Sequence, residues 1–289
     1  MPAVAVTDRN NLFGALEFSQ CAAKAGIQPI VGVDLAIRRE EEGGVAAASK
    51  LLTVDWLTLL AQNEDGYKNL MRLVSRVHLD FKVGSTAALP FDELAGHTEG
   101  LLAFTGSPAS ALGRLLGAGQ GPAAEHQLER LARLFDGRLY LEVQRHGEDN
   151  ERRIEGPLID LAYAKGLPLI GTNDVHYPKA AMHAAHDVLL CIEQGAHIDD
   201  PNRRRLSGEH YFKSAEQMRE VFADLPEACD NTLVVAQRCA YMPEPRKPIL
   251  PSYTKLKGRS EGEALRDLAR GGLDELRTLG RLAADIEFA

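Results

Sequence analysis

Short apolar runs alternate with amphipathic segments along most of the chain. Runs with the character of buried strands occupy residues 3–6, 29–37, 101–104, 139–143 and 168–172. Between them, apolar side chains recur at helical spacing over residues 12–25, 64–78, 122–135, 154–165 and 180–194. Strands separated by helices predict an α/β fold whose strands pair in parallel through right-handed crossovers.

Local signals refine the ends of these elements and the organisation of the C-terminal part. Asn11 and Asn63 precede two of the helical segments and are expected to cap them. Residues 39–44 read as a charged turn, and from about Ser214 the pattern is helical only. Residues 243–259 contain four Pro and five Lys or Arg, which predicts an extended linker before a last helical stretch at 260–280.

Composition and charge exclude several classes of protein. The 289 residues are 45% hydrophobic and 26% charged, as in ordinary globular proteins, and no apolar run approaches the ~20 residues of a membrane span. Four scattered cysteines favour neither a disulfide framework nor a clustered zinc site, so a reduced, cytoplasmic protein is expected. A net charge of −8 argues against a broad nucleic-acid-binding surface.

Several predicted strands end in polar or metal-competent side chains. In a β/α barrel these points face one rim, so the side chains are expected to lie together. They are Asp8, Asp34, Thr105, Ser107, His146, Asp174 and His176. The Asp-x-His spacing of Asp174 and His176 suits zinc or a hard divalent ion. The alternative is a β–α loop in which Asn173 or Asp174 only caps the next helix.

Several segments carry a specific family resemblance. They read LYLEVQRHG (139–147), GTNDVHYP (171–178), AHDVLLCIEQG (185–195), DDPNRRRL (199–206) and HYFKSAEQM (210–218). These segments resemble the N-terminal PHP (polymerase and histidinol phosphatase) domain of bacterial replicative DNA polymerase III alpha subunits, and the likeness extends over residues 2–35 and 238–253. The resemblance implies a distorted (β/α)7 barrel. It also implies that a first strand with a His-x-His motif would precede Met1, which leaves the barrel incomplete at its N-terminus.

The resemblance also implies a division into three parts. Residues 1–212 correspond to the PHP domain and residues 213–242 to a helical segment after the barrel. Residues 243–289 correspond to a linker and the start of the polymerase body.

Active PHP domains resemble metal-dependent phosphoesterases, and the likeness implies a partial set of their ligands here. The candidate ligands are Asp8, Asp34, His146, Asp174 and His176, with Zn²⁺ or Mn²⁺ as the expected ion. Arg9 stands where the family has histidine, Asp34 where glutamate is usual, and Ser107 where cysteine is common. A guanidinium cannot ligate a metal, so Arg9 is expected to bind a phosphate or to pair with Asp8 or Asp174.

The other histidines are expected to have no role in such a site. His183 and His186 lie three residues apart on one predicted helix, where surface or capping roles are commoner than metal binding. The remaining histidines, which are His78, His97, His126, His197 and His210, are expected at the surface or in loops.

The leading hypothesis for function is the N-terminal part of a replicative DNA polymerase. The parent enzyme would use Mg²⁺, primed DNA and deoxynucleoside triphosphates, with its catalytic carboxylates beyond Ala289, so this chain alone is expected to be inactive. Its PHP module would be degenerate and structural, and would dock the proofreading exonuclease and other replicase subunits. One alternative is an independent metal-dependent phosphoesterase or 3′–5′ exonuclease. Another is a non-catalytic interaction module.

Overall fold

The structure, a computed structural model, describes residues 1–39, 54–79, 87–248, 251, 253, 256 and 258–281. The strands are β1 (Ala3–Val6), β2 (Gln28–Arg38), β3 (Val54–Ala61), β4 (Leu101–Thr105), β5 (Leu139–Gln144) and β6 (Leu169–Thr172). The helices are α1 (Ala15–Lys24), α2 (Glu64–Leu79), α3 (Ala111–Gly117), α4 (Gly121–Leu134), α5 (Asp149–Lys165), α6 (His183–Gln194), α7 (Ala215–Val221), α8 (Pro226–Arg238) and α9 (Glu261–Thr278). Short 3₁₀ turns lie at Phe91–Leu94 and Ala180–Met182.

The six strands form one curled sheet in the order in which they occur along the chain. Strands β1 and β2 are parallel, as are β4, β5 and β6, whereas β3 is antiparallel to both of its neighbours. This curled, mixed α/β arrangement is that of a distorted β/α barrel, as predicted.

The prediction of parallel pairing throughout is wrong for β3. Strand β3 pairs with β2 over seven residues, from Gly32 opposite Leu60 to Arg38 opposite Val54. A parallel pair needs a long crossover connection, usually a helix, whereas antiparallel neighbours need only a short return of the chain. The charged turn predicted at 39–44 belongs to this connection, and beyond residue 39 it lies outside the described residues.

Both faces of the sheet are apolar, and each packs against helices. On the outer face, Leu35, Leu59 and Leu141 are fully buried in a core that includes side chains from α2 to α5. On the inner face, a smaller cluster contains Phe104 and Tyr140 and reaches Val235 on α8. The outer core also contains side chains from the helical segment after the barrel, namely Phe222, Leu225, Ala228 and Cys229. That segment therefore shares the core of the sheet.

Two predicted helix starts can be compared with the structure. Asn63 accepts a hydrogen bond from the backbone nitrogen of Gly66 at 2.9 Å, which confirms its capping role at α2. Asn11 instead accepts from Phe13 at 3.2 Å in a local turn, and α1 begins only at Ala15. The prediction of a helix from residue 12 is wrong there because the asparagine side chain stabilises a turn.

By its internal contacts the chain divides into two compact units, Met1–Glu244 and Pro245–Ala289. The first contains the whole sheet and helices α1 to α8, and the second contains α9. Helix α9 begins with a capping box, in which the side chains of Ser260 and Glu263 each bond the other residue's backbone.

Candidate metal centre

A cavity of about 970 Å³ lies in the first unit. It is lined by polar side chains from the segment after β1, from β2 and β5, and from the loop after β6, including Asp8, Arg9, Asp34, Glu142, Asp174 and His176. Five of the six predicted site residues therefore line a single cavity, and only His146 does not. Asp34 was expected just after the end of a strand, but it lies inside β2.

Three side chains beside this cavity form a cluster with the spacing of a metal site. One ligand atom from each of Asp174, His176 and His210 lies within 4.8 Å of the others. Nε2 of His176 is 3.2 Å from Oδ2 of Asp174, and Nδ1 of His210 is 3.9 Å from the same oxygen. Among the described residues no other group of three His, Cys, Asp or Glu side chains meets this spacing.

His210 was not expected in the site. It lies in a loop, which was one of its two expected places, but it is buried and not at the surface. Only 5% of the residue is exposed. Backbone pairing brings it in, because His176 donates to the carbonyl oxygen of His210 at 2.9 Å and Phe212 donates to that of Tyr177 at 3.0 Å. We call residues 207–213, which this pairing holds against the loop after β6, the closing segment.

The histidine that the sequence favoured, His146, is held by other partners. Its Nδ1 lies 2.7 Å from Oε1 of Glu151, and its Nε2 lies 3.0 Å from Oδ1 of Asn173. The Asn173 amide nitrogen donates to the carbonyl oxygen of Tyr211 at 2.7 Å, which turns the amide oxygen toward His146. Both ring nitrogens are thus occupied. His146 stacks on His210 at 3.9 Å between ring centroids and does not join the three-residue cluster.

The two stacked rings differ in what they offer to an ion. Burial lowers the pKa of His210 to about 4, so its ring is neutral at pH 7. Nδ1 lies 2.8 Å from the backbone oxygen of Asp174, whereas Nε2 is buried without a hydrogen-bond partner in the described structure. A buried ring nitrogen that lacks a partner is costly, and a cation or a water molecule would satisfy it. One carboxylate and two imidazole rings with ligand atoms within 4.8 Å of one another are a donor set that fits a divalent ion.

Carboxylates surround the cluster and influence one another. Burial raises the pKa of Glu142 to about 7, although Thr172 donates to it at 2.6 Å, and the charges of Asp34 and Asp174 raise it further. Burial also raises the pKa of Asp34 to about 6, against the lowering effect of Arg9. For Asp174 the upward effect of burial is outweighed by His176, His210 and Arg9, so its pKa falls to about 2.

Arg9 lies at the edge of this carboxylate group. Its Nε is 3.5 Å from Oδ2 of Asp34, and its guanidinium lies over the ring of Trp56 at 4.6 Å from the centroid. Among the described residues, Arg9 therefore forms its ion pair with Asp34 and not with Asp8 or Asp174, the two carboxylates expected from the sequence as alternatives to a phosphate. Arg9 still acts electrostatically on Asp174, since it contributes to the lowered pKa of that residue.

The remaining candidates lie around the cavity in supporting positions. Asp8 is exposed, and its backbone oxygen accepts from Asp34 at 3.1 Å. Ser107 and His186 line the cavity. The ring of His186 lies 5.3 Å from that of His176, whereas His183 bonds the backbone oxygen of Leu206 at 2.9 Å. Lys213 was not predicted, yet it is buried beside Asn173 with 3.4 Å between Nζ and Oδ1.

Within the part of the chain that the structure describes, no helix combines the length and the apolar character that a membrane span requires.

The sequences of known proteins indicate the family to which this chain is similar. The sequence model of the PHP domain family matches residues 1–146, which include Asp8, Arg9 and Asp34. The chain is 44% identical over 273 residues to the DNA polymerase III subunit alpha of Caulobacter vibrioides, a match that covers 94% of this chain and 24% of that protein.

Two more distant relatives carry the same description. The DNA polymerase III subunit alpha of Pseudomonas fluorescens is 35% identical over 276 residues, covering 95% of this chain and 23% of the relative. That of Treponema pallidum is 38% identical over 256 residues, covering 87% and 22%. The chain thus spans about a quarter of the length of these relatives. The resemblance inferred from the sequence motifs is confirmed, and the chain belongs to the PHP domain family in the form found in DNA polymerase III alpha subunits.

Proposed function

We propose that this chain serves as the PHP part of a bacterial replicative DNA polymerase alpha subunit. The observation that carries this proposal is the similarity over 94% of the chain to a protein of that description. The whole polymerase would extend primed DNA with deoxynucleoside triphosphates in the cytoplasm and would use Mg²⁺ for two-metal phosphoryl transfer. The division at about residues 212 and 242 into barrel, helical segment and start of the polymerase body belongs to the same proposal.

Within this chain, the proposed role of the cluster is to bind one divalent ion that stabilises the fold. Asp174, His176 and His210 would hold Zn²⁺ or Mn²⁺, which suit mixed oxygen and nitrogen donors. When bound, the ion supplies a fixed positive charge that ties the loop after β6 to the closing segment. His146, held by Glu151, supports the site from behind by stacking on His210.

A structural role agrees better with these side chains than hydrolysis does. Two of the predicted ligands are engaged elsewhere, since Asp34 pairs with Arg9 and His146 bonds Glu151 and Asn173. A module of this kind would brace the polymerase body and dock the proofreading exonuclease and other replicase subunits. The second candidate is a metal-dependent phosphoesterase or 3′–5′ exonuclease, which the large cavity beside the cluster favours.

A single assay series separates the two candidates. The purified chain, first stripped of metal, is incubated with Mn²⁺, Zn²⁺ or Mg²⁺ and with end-labelled single-stranded or primed DNA. The proposal predicts cation binding with neither shortening nor extension of the labelled strand. Shortening that is lost in both Asp174→Asn and His210→Ala would favour the exonuclease instead. To test the docking role, the chain is mixed with a replicase proofreading exonuclease, and size-exclusion chromatography shows whether the two form a complex.

A further inference from the structure

Helix α6 uses its polar side chains for contacts within the first unit. His183 bonds the backbone oxygen of Leu206 at 2.9 Å. Asp187 bonds Arg203 at 2.5 Å, and the side chain of Arg203 is only 3% exposed. The polar side of the helix is therefore turned toward the protein, which is the reverse of an ordinary amphipathic surface helix.

The solvent side of α6 is apolar. Between residues 181 and 192 every exposed residue is apolar, and at 3.6 residues per turn these residues lie on one face. They are Ala181, Met182, Ala184, Ala185, Val188, Leu189 and Ile192, which we call the α6 face. Its larger side chains are well exposed, with 44% for Met182, 49% for Val188, 61% for Leu189 and 72% for Ile192.

The α6 face is as large as the surface patches that bind other proteins. It exposes on the order of 500 Å² of apolar surface, and the largest such patch on a typical monomer measures about 300–600 Å² and is often functional. Two of these faces packed together would bury about 1,000 Å², which is the lower bound for a specific protein–protein interface. The face therefore has the area that a weak, reversible dimer needs.

The size of the side chains changes along the α6 face. The first half carries alanines, whereas the second half carries branched side chains. When two copies of the helix pack antiparallel about a two-fold axis, the small half of one lies against the large half of the other, so that the side chains interdigitate. This arrangement places opposite each other Ala181 and Ile192, Ala184 and Leu189, and Ala185 and Val188.

The charges at the two ends of the α6 face favour the same direction. Lys179 is exposed just before the 3₁₀ turn that leads into α6, and Glu193 is exposed in the last turn of the helix. In an antiparallel pair the lysine of each copy approaches the glutamate of the other. A parallel pair would instead bring like charges together at both ends.

We propose that the α6 face binds the α6 face of a second copy of this chain in an antiparallel pair with two-fold symmetry. The apolar side chains form the centre of the interface, and Lys179 pairs with the partner's Glu193 at each end. The inference goes beyond the proposed function and does not depend on the cation site, so each of the two can fail alone.

Sedimentation velocity of the whole chain over a range of concentrations tests the pair. The wild type should shift from the mass of one chain toward the mass of two as the concentration rises. Leu189→Glu and Ile192→Glu should both remain monomers, because each buries a charge in the apolar interface. The matched control is Leu79→Glu, which changes a leucine on α2 that is 81% exposed and should dimerise like the wild type.

Exchange of the end charges tests the direction of the two helices. Lys179→Glu and Glu193→Lys should each raise the dissociation constant of the dimer about 3- to 10-fold, because like charges then meet at both ends. The double variant should return to the wild-type value. Circular dichroism confirms that each variant compared is folded.

Three results would overturn the inference. A wild type that stays monomeric at every concentration would leave the α6 face to a different partner. A dimer that withstands both Leu189→Glu and Ile192→Glu would form elsewhere on the chain. A double charge exchange that fails to restore the dimer would exclude the antiparallel pairing.

Discussion

At the scale of single residues, the hydrogen-bond partners of two stacked histidines determine which of the two rings is available to an ion. His146 and His210 lie 3.9 Å apart in nearly parallel planes. His146 is fully engaged, because Glu151 bonds one of its nitrogens and Asn173 bonds the other. His210 retains a buried ring nitrogen without a partner and lies close to Asp174 and His176. The same side chain therefore supports the site in one position and is available to an ion in the other.

His210→Ala should weaken the binding of Mn²⁺ or Zn²⁺ by at least about 10- to 100-fold, since loss of a ligand costs no less than loss of a group that orients one. Competition with a chelating dye measures the affinity. The control is His126→Ala, which removes an exposed histidine on α4 and should leave the affinity unchanged. Equal affinities for the wild type and His210→Ala would exclude His210 from the site.

Glu142 should make the stability of the metal-free protein fall as the pH rises. Its pKa of about 7 in the folded chain exceeds the ordinary 4.5, so between these values the folded state holds a proton that the unfolded state releases. The stabilisation is complete below about pH 4.5 and is lost as the pH rises through 7. Glu142→Gln cannot lose a proton, so its stability relative to the wild type should rise by on the order of 2–3 kcal/mol from pH 5 to pH 8.

Urea denaturation of both proteins in the presence of a chelator measures this difference at each pH. Comparison of the two proteins removes the contribution of His210, whose lowered pKa acts in the opposite direction at mildly acidic pH. A difference that stays constant between pH 5 and pH 8 would mean that Glu142 is already charged throughout this range.

The sequence predicted part of the site for a physical reason. Asp174 and His176 directly follow an apolar strand, and the end of such a strand reaches the rim of a β/α barrel. His210 could not be predicted in this way, because it comes from an irregular segment 36 residues beyond Asp174 and only tertiary pairing brings it back. The pairing of Tyr177 with Tyr211 that does so has no local signature.

At the scale of elements, helix α5 connects the core of the sheet with the site. Its first turn contains Glu151, whose carboxylate accepts from the backbone of Glu148 in a capping box and from both Nδ1 and the backbone of His146. The same helix provides Glu155, which bonds Arg145 at the end of β5. Arg145 also bonds Asp224 and the backbone oxygen of Val221, so one side chain joins the end of β5, helix α5 and the end of α7.

Arg145→Ala should therefore lower the free energy of unfolding by about 2–4 kcal/mol, because several hydrogen bonds to a charged group are lost together. Hydrogen bonds to Asp224 and Glu155 raise the pKa of Arg145 beyond its ordinary value, so the charge is present at every working pH. Urea denaturation measures the change. Arg152→Ala is the control, since the side chain of Arg152 is 70% exposed and, among the described residues, its ion pair is with Asp149 at 3.6 Å. If Arg145→Ala lowers the free energy of unfolding no more than the control does, the contacts of Arg145 contribute little to stability.

The orientation of β3 marks the limit of prediction at this scale. Alternating strands and helices indicate the fold class, but they do not show in which direction a strand runs relative to its neighbour. Strand β3 follows β2 in an antiparallel pair, and its apolar residues would fit a parallel neighbour equally well. The direction of the strand depends on the connection between the two strands, not on the pattern within them.

At the scale of the whole molecule, the fold and the family could be predicted more completely than the site. The periodicity alone indicated an α/β fold, and the motifs near residues 139–147 and 171–178 indicated the family that the comparisons confirm. The helices after the barrel were expected as a separate segment, yet Phe222 and Leu225 complete the outer core. The net charge of −8 argues against the binding of DNA over a broad surface of this chain.

The central claim is that Asp174, His176 and His210 hold one divalent ion. The most direct test is a crystal structure of the chain with Zn²⁺, measured with an anomalous difference map above the zinc absorption edge. One anomalous peak is expected about 2.0–2.2 Å from a carboxylate oxygen of Asp174 and from a ring nitrogen of each of His176 and His210. The absence of a peak there, or a peak bound by His146 or placed between Asp8 and Asp34, would contradict it.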